Sequence, residues 1–291
     1  MRRKYFVLIS LAGLACSVAL ILRKGGRKTV QGEWPVNLAH RGASSLAPEN
    51  TIEAFRLAVE AGAGGLELDV HLTRDGHVVV LHDATVDRTT DGAGPVSEMT
   101  VDELRGFDAG HNFSPDGGPS RPYRGCGVRV PMLEEVLREF PGVAVNIDIK
   151  AGRPGIEAAV FRVLREADAL GRVLVVSTAH ATVKRFRKIS GGHVSTGASK
   201  WEIGVFYLLS WLPLERLVRQ AYDALQVPLR HRGIPLVTPR FVRAAHDRGL
   251  RVDVWTINQA DEMRRLLGLG ADVIMTDRPR MLAEVLRARE T

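Results

Sequence analysis

Side chains that could carry acid–base or metal chemistry stand at the ends of short β-rich runs in this sequence. They are His40, Arg41, Glu67, Asp69, His82, Asp148, Lys150 and Trp255. Glu67 and Asp69 are two residues apart, as are Asp148 and Lys150, and that spacing directs both members of a pair to one face of a strand. Acidic side chains on a buried face are unfavourable unless a cation compensates them. The pattern therefore predicts a cation beside these carboxylates.

The chemistry of the three acidic side chains indicates which cation this is. Glu67, Asp69 and Asp148 offer hard oxygen ligands, which suit Ca²⁺ or Mg²⁺. The sequence has no cysteine–histidine cluster with the spacing of a zinc site. We therefore predict one divalent metal ion, Ca²⁺ or Mg²⁺, bound by these three residues.

Two histidines and two cations complete the predicted site. One of His40 and His82 could take a proton from a nucleophile while the other gives a proton to a leaving alkoxide. Arg41 and Lys150 could neutralise phosphate oxygens, the first by its planar fork and the second as a point charge. The combination predicts cleavage of a phosphodiester. Trp255 is predicted to form a wall of the substrate pocket.

Eight apolar β-rich runs, most of them separated by amphipathic helical stretches, must position these residues. The runs cover residues 36–39, 65–70, 143–149, 173–177, 194–197, 224–227, 252–257 and 273–275. Alternation of this kind predicts an α/β fold with a parallel sheet, and eight repeats favour closure into a (β/α)₈ TIM barrel. An open, doubly wound sheet is the alternative. In a barrel the functional side chains lie at the carboxyl ends of the strands, where this set is found.

Two segments interrupt the alternation after the second strand. Residues 78–81 form a ninth apolar run, joined to the second through Asp75-Gly76, which predicts a β-hairpin that returns His82 to the level of Asp69. Residues from about 84 to 130 are rich in Gly, Pro and polar side chains, and we expect them to form a cap over the site. Asn50, Asn258 and Asp277 are interpreted as helix caps.

The charge distribution excludes one class of partner. The formal net charge is +7. Residues 1–32 hold seven Lys and Arg and no acidic residue, so the remainder sums to zero. A nucleic-acid footprint would have to be carried by the folded domain, and we predict no nucleic-acid partner. The two cysteines, Cys16 and Cys126, do not form a disulfide framework.

The basic residues instead flank an apolar run at residues 5–22. Its eighteen residues would span roughly 27 Å as a helix, close to the thickness of the bilayer's hydrocarbon core. We predict a single-pass N-terminal transmembrane helix, with residues 1–32 as anchor and basic linker and residues 33–291 as the catalytic domain. A cleaved signal peptide and a lipidated Cys16 are the alternatives. Charges at both ends leave the side of the membrane undecided.

A second segment, residues 201–217, is unusually apolar and aromatic. It could be a buried barrel helix, or a lip beside the site that enters a bilayer surface. The lip interpretation would favour a lipid-borne substrate.

The stretch LAHRGASSLAPENTIEAFRLAVEAGAGGLELDVHLTRDGHVVVLHD closely resembles the signature of the glycerophosphodiester phosphodiesterase family. VPMLEEVL, VNIDIK, VDVWTIN and VIMTDRP also match, so that the resemblance covers roughly residues 36–285. It implies a (β/α)₈ barrel with one divalent metal, a catalytic pair of histidines at His40 and His82, and cleavage of glycerophosphodiesters to glycerol phosphate and an alcohol. The family most often has Glu where this chain has Asp148.

Two alternative functions remain open at this point. The same residues could serve a lysophospholipase D that acts on membrane lysophospholipids. A catalytically silent, membrane-tethered binding protein is the alternative from a different class, although such a relative would be expected to have lost a histidine or a carboxylate.

Overall fold

The computed structural model describes residues 34–150, 152–212, 214–217 and 220–290. Its strands are β1 Asn37–His40, β2 Gly65–Leu72, β3 Val78–Val80, β4 Ala144–Ile149, β5 Val173–Val176, β6 Ser195–Thr196, β7 Ala224–Pro228, β8 Arg230–His231, β9 Ile234–Pro235, β10 Arg251–Trp255 and β11 Val273–Thr276. Its helices are α1 Ile52–Glu60, α2 Val101–Arg105, α3 Leu133–Glu139, α4 Ile156–Glu166, α5 His180–Ser190, α6 Lys200–Trp211, α7 Pro239–His246, α8 Ala260–Leu269 and α9 Pro279–Glu290. Single turns of 3₁₀ helix cover Val96–Glu98, Leu170–Arg172 and Glu215–Leu217.

Eight parallel strands form a nearly closed barrel, in the order β6-β5-β4-β2-β1-β11-β10-β7. The seam between β6 and β7 is joined by a bridge between Gly197 and Ala224, and the Ala198 N–H donates to the Ala224 carbonyl at 2.9 Å. The prediction of a (β/α)₈ TIM barrel is confirmed over that of an open sheet. All eight predicted β-rich runs are strands of this barrel.

The barrel is stabilised by apolar side chains packed between the strands and the surrounding helices. One buried cluster joins β2, β4 and β5 to α1, α3 and α4, and a second joins β7, β10 and β11 to α6, α7 and α8. Helix α1 illustrates the local rules: Thr51 caps it by accepting from the Ala54 N–H, and Phe55 and Ala58 are fully buried. The two clusters therefore hold the barrel strands against the helices that surround them.

The β-hairpin predicted after β2 is present in the structure. Strand β3 runs antiparallel to β2, with Val80 opposite Val70 and Val78 opposite Leu72. Gly76 in the connecting turn has a φ of 86°, which a residue without Cβ adopts without strain. The insertion that follows has its own small core, which includes Val79, Leu81, Val86, Val96, Leu104 and Val128.

The predicted transmembrane segment, residues 5–22, lies outside the described residues and stays a prediction. Among the helices of residues 34–290 that are described, none has the length and apolar character needed to cross a bilayer.

Candidate active site

The carboxyl ends of the strands bring the predicted site residues together. In the sheet register His40 of β1 is paired with Glu67 of β2, and Asp69 of β2 is paired with Asp148 of β4. Registered neighbours on parallel strands project to the same side, so these four side chains line one end of the barrel. Lys150 follows β4 directly, and its backbone N–H donates to the Val70 carbonyl at 3.1 Å.

His40 is held by a carboxylate from the last barrel strand. Its Nδ1 lies 2.7 Å from Oδ1 of Asp277, which follows β11 immediately. Burial alone would lower the pKa of His40, but the hydrogen bond to Asp277 and the charge of Glu67 outweigh it and raise that pKa. The contact fixes the ring and leaves Nε2 as the nitrogen that can exchange a proton.

Asp277 is itself fixed by three further hydrogen bonds. Its Oδ1 accepts from Ser44 Oγ at 2.9 Å, its Oδ2 accepts from Asn258 Nδ2 at 2.6 Å, and its backbone N–H donates to Asn258 Oδ1 at 2.9 Å. Burial would raise the pKa of Asp277, yet these donors and the His40 ring lower it. Asp277 is therefore an anion that orients His40. The interpretation of Asp277 and Asn258 as helix caps missed this contact.

His82 has the same kind of partner on the other side of the site. Its Nδ1 lies 2.6 Å from Oδ1 of Asp83, and its backbone carbonyl lies 3.1 Å from His71 Nε2. The hairpin brings it to the predicted level, because the Leu81 N–H donates to the Asp69 carbonyl at 3.0 Å. In both predicted catalytic histidines an aspartate contacts Nδ1. This leaves Nε2 as the nitrogen that could exchange a proton, as an acid–base pair requires.

Arg88, from the start of the insertion, links the residues around His82 to those around Arg41. Its Nε donates to Asp83, while Nη1 and Nη2 donate to the two carboxylate oxygens of Glu49 at 2.8 and 2.7 Å. Glu49 in turn accepts from Arg41 Nη1 at 3.0 Å. One guanidinium therefore holds the partner of His82 and the partner of Arg41 together. This segment has no periodic sequence pattern from which the contact could be predicted.

Arg41 lies at a strained turn that aims its side chain into the site. Its φ is 56°, and its backbone N–H donates to Glu67 Oε2 at 3.0 Å. Its Nε lies 3.3 Å from Asp69 Oδ2, an ion pair without hydrogen-bond alignment. Gly42 follows with a φ of 86°, and a Cβ there would lie 2.7 Å from Ala54, so the turn packs directly against α1.

Asp69 is the most closely surrounded carboxylate of the site. Asn50 brackets it, donating through Nδ2 to Asp69 Oδ2 at 2.9 Å and accepting the Asp69 N–H at 3.3 Å. Lys150 Nζ lies 2.7 Å from Asp69 Oδ1 and 2.7 Å from Asp148 Oδ2. Burial would raise the pKa of Asp69, but Lys150 and Arg41 lower it. Asn50 therefore holds a site residue, and Thr51 is the cap of α1.

The other two carboxylates, those of Glu67 and Asp148, are buried without enough hydrogen-bond or charge partners to compensate the loss of water. Burial, followed by the charge of Asp69, raises the pKa of Glu67 to about 7. Burial likewise raises the pKa of Asp148, whose Oδ1 is buried without a hydrogen-bond partner. Such groups are stabilised by a cation, and their hard oxygens match Ca²⁺ or Mg²⁺.

The acidic residues nevertheless do not converge on a common point. In the part of the chain that the structure describes, no three acidic, histidine or cysteine side chains stand close enough together to hold an ion. The ammonium group of Lys150 lies between Asp69 and Asp148 instead. The donor set fits a divalent cation in charge and hardness, and binding would require Lys150 to yield its place between the two aspartates.

Trp255 is placed at the same end of the barrel. It is the last residue of β10, 39% exposed, and is paired in register with Pro228 of β7. In the strand order it lies across the barrel mouth from β4, and its predicted role as a pocket wall stays a prediction.

Replacing Asp277 by asparagine is expected to lower kcat by about 10²-fold, because an amide can donate to Nδ1 and favour the wrong tautomer of His40. Since Asp277 raises the pKa of His40, its loss should move the limb of the pH–rate profile that reports His40 to lower pH. Steady-state kinetics across the pH range measures both effects. A fall in kcat with an unmoved profile would show that Asp277 does not act through His40.

Replacing Arg88 by lysine is expected to lower kcat/KM about tenfold, because a single ammonium cannot hold Asp83 and Glu49 at once. The matched control is Arg74→Lys. Arg74 is an exposed arginine on the hairpin turn, and it is paired with Glu103. Kinetics of the two variants, with circular dichroism to monitor folding, makes the comparison. Equal effects in both variants would contradict the connecting role of Arg88.

Comparison with known proteins shows the family to which this chain is similar. The model of the glycerophosphoryl diester phosphodiesterase family matches residues 40–281. The chain is 36% identical over 258 residues to a glycerophosphodiester phosphodiesterase of Caldanaerobacter subterraneus subsp. tengcongensis, covering 86% of this chain and 97% of that protein. It is 34% identical over 277 residues to a probable glycerophosphodiester phosphodiesterase 2 of Mycobacterium tuberculosis, covering 92% and 94%.

A solved structure is similar over nearly the same extent. It is an Oleispira antarctica phosphodiesterase in complex with the product sn-glycerol-3-phosphate, 26% identical, with a TM-score of 0.68 and coverage of 86% of this chain and 96% of that one.

Proposed function

The chain belongs to the glycerophosphoryl diester phosphodiesterase family, and we propose that it hydrolyses glycerophosphodiesters to glycerol phosphate and an alcohol through proton transfer by His40 and His82. The class of enzyme, a phosphoric diester hydrolase, follows from the family. The observation that carries the assignment of the two histidines is their shared arrangement. Each ring has Nδ1 within 2.7 Å of an aspartate, beside a cluster of buried carboxylates and two cations.

The first chemical step is proposed to use a hydroxyl of the substrate's own glycerol. One Nε2 accepts the proton of that hydroxyl as its oxygen attacks phosphorus, and the other Nε2 donates a proton to the oxygen of the departing alcohol. Hydrolysis of the resulting cyclic phosphate reverses the two roles and leaves glycerol phosphate. Asp277 and Asp83 stabilise whichever imidazole is protonated.

The phosphate group is proposed to lie against Arg41 and Lys150. Arg41 offers a planar fork that matches two phosphate oxygens, and Lys150 offers a compact charge. Arg41 lies against Asp69, which would position it before the substrate arrives. Lys150, once an ion displaced it from Asp69 and Asp148, would be free to contact the phosphate. Trp255 would bound the pocket on the side of the alcohol group.

A divalent cation, Ca²⁺ or Mg²⁺, is proposed to bind Glu67, Asp69 and Asp148. The raised pKa of Glu67 and the unpartnered Oδ1 of Asp148 support it, because both are relieved by a nearby positive charge. When bound, such an ion supplies charge stabilisation to the phosphate oxygens. Asp148 is shorter than the glutamate that most family members have, so a water molecule could complete its contact.

Residues 33–291 are proposed to act as the catalytic domain and residues 1–32 as an anchor with a basic linker. The apolar run 5–22 and its basic flanks support this division. A single-pass membrane location is thus part of the proposal, with the side of the membrane left open. Proteolysis of membrane fractions before and after carbonate extraction tests the location, and recovery of the chain in the soluble fraction would contradict it.

The substrate panel that tests the function contains glycerophosphocholine, glycerophosphoethanolamine and lysophosphatidylcholine. Release of glycerol 3-phosphate from the first two is expected, and it can be measured with a coupled dehydrogenase. Lysophospholipase D is the second candidate, favoured by the apolar surface beside the site that is described below, and turnover of lysophosphatidylcholine alone would replace the main proposal with it. No turnover of any diester would leave the membrane-tethered binding protein.

A further inference from the structure

Helix α6 lies along the catalytic end of the barrel. Its cap, Ser199, bonds through Oγ to Nδ1 of His180 at 2.9 Å, and His180 begins α5 only a few residues after the carboxyl end of β5. At the other end of α6, Arg240 donates to the carbonyls of Ser210 and Trp211 at 2.8 and 2.5 Å. Because Arg240 belongs to the first turn of α7, which follows β7, both ends of α6 are at the end of the barrel that carries the site.

The hairpin β8–β9 extends the same edge. It follows β7 without a helix between, and Tyr207 of α6 donates to the Pro235 carbonyl at 3.1 Å. Arg240 also stacks over Trp211, with its guanidinium carbon 5.4 Å from the ring centroid. We call α6, the residues 212 and 214 behind it, and the hairpin of residues 229–236 the rim surface.

Large apolar side chains are exposed mainly on this surface. The described residues include ten exposed large apolar side chains. Only two of them, Val59 and Ile189, lie at the end of the barrel that faces away from the site, near the C-terminal ends of α1 and α5. The rim surface carries Trp201, Leu208, Trp211, Leu212, Leu214 and Ile234. At the same end of the barrel, Trp255 ends β10 and Leu46 lies in the loop after β1. Trp201 is 69% exposed and Leu208 is 62% exposed. Single exposed apolar residues are ordinary, but a one-sided group marks an interaction surface.

The charged side chains of the β8–β9 hairpin and of the first turn of α7 are all positive. Residues 228–240 contain Arg230, Arg232 and Arg240 and no acidic residue, and all three arginines are exposed. Within α6 the acidic side chain is Glu202, which is paired with Arg187 at 2.6 Å. Tryptophan at the edge of an apolar surface, with arginine beside it, is the composition that binds the headgroup region of an anionic bilayer.

We propose that the rim surface docks on an anionic lipid bilayer and turns the open end of the barrel toward the headgroups. A phosphodiester carried by a lipid could then reach His40 and His82 from the interface. The predicted anchor at residues 5–22 would keep the barrel near such a surface. The choice of a lipid-borne substrate rests on the proposed function, whereas the docking itself does not.

The test uses the full chain with two kinds of vesicle, phosphatidylcholine alone and phosphatidylcholine mixed with phosphatidylglycerol. Bromine-labelled lipid in the mixed vesicles is expected to quench tryptophan fluorescence, and Trp201→Phe and Trp211→Phe should each remove part of the quenching. Arg230→Ser and Arg232→Ser should each weaken the effect about fivefold at limiting lipid, the contribution of one charge near an anionic surface. Val59→Ser and Ile189→Ser are matched controls and should leave quenching unchanged.

Quenching that does not depend on Trp201 and Trp211, or that is equal in both vesicles, would overturn the docking proposal. A change of oligomeric state in the tryptophan variants without a change in quenching would assign the surface to a protein contact and overturn it as well. This readout needs no catalysis. A failure of the proposed function would appear separately, as absence of glycerophosphocholine hydrolysis by a chain that still docks.

Discussion

Replacing His40 or His82 by alanine is expected to lower kcat by about 10³- to 10⁴-fold, the upper range for loss of a general acid or base. Each substitution removes the nitrogen that exchanges a proton with the substrate, while Asp277 and Asp83 stay in place. KM should change little, because Arg41 and Lys150 hold the phosphate. Steady-state kinetics with glycerophosphocholine gives both constants.

The matched control for these variants is His77→Ala. His77 lies on the same hairpin as His82, is about half exposed, and is nearest to Asp75 rather than to the site. It should retain full activity. Retention of more than a tenth of the activity by either His40→Ala or His82→Ala would remove that residue from the acid–base pair.

Removal of divalent cations by EDTA is expected to lower kcat/KM by about 10³-fold, since such an ion contributes several kcal/mol to stabilising phosphoryl charge. Addition of Ca²⁺ or Mg²⁺ should restore activity. Isothermal titration of the metal-free protein should show one site that weakens as the pH falls below about 7, because Glu67 is then protonated and a proton competes with the ion.

The control for metal removal is Glu67→Gln, which keeps the size of the side chain and removes its charge. It should reduce metal affinity and activity together, and excess metal should recover part of the activity. Full activity in the presence of the chelator would contradict the metal site, and stabilisation of the phosphate charge would then depend on Arg41 and Lys150 alone.

Much of the fold could be predicted from periodicity because the barrel repeats one local rule. Each β-rich run is buried on both faces, and each helix between runs has one apolar face, so the alternation is visible in the sequence. The hairpin was predictable for a different reason: Asp75-Gly76 is a turn signal, and the turn position determines where His82 returns. Even β6, only two residues long in the structure, lies within the predicted run of residues 194–197.

The supporting contacts of the site could not be predicted in the same way. Asp277 lies 237 residues from His40, and an aspartate before a proline is also what a helix start requires. Its place directly after the eighth barrel strand is the one feature of the sequence that indicates a site residue. Arg88 lies in a segment without periodicity, so no pattern indicated which carboxylates it would reach. The position of Lys150 between Asp69 and Asp148 depends on side-chain rotamers, which spacing does not determine.

The direction of α6 is a third feature that required the structure. A helix after a barrel strand is expected to return along the outside of the barrel, and the sequence allowed either that or a lip. The contacts of Ser199 and Arg240 place both ends of α6 at the catalytic end. The position of α6 therefore supports the interpretation of this segment as a lip beside the site. The vesicle experiment tests whether the lip binds a bilayer.

The most direct test of the central claim is ³¹P NMR of the reaction of the full chain with sn-glycero-3-phosphocholine and Mg²⁺ or Ca²⁺. We expect the diester signal to be replaced by that of glycerol phosphate, preceded by a cyclic glycerol phosphate, and neither signal to grow in the His40→Ala variant. Phosphocholine as the product, or glycerol phosphate formed at an undiminished rate by His40→Ala, would contradict it.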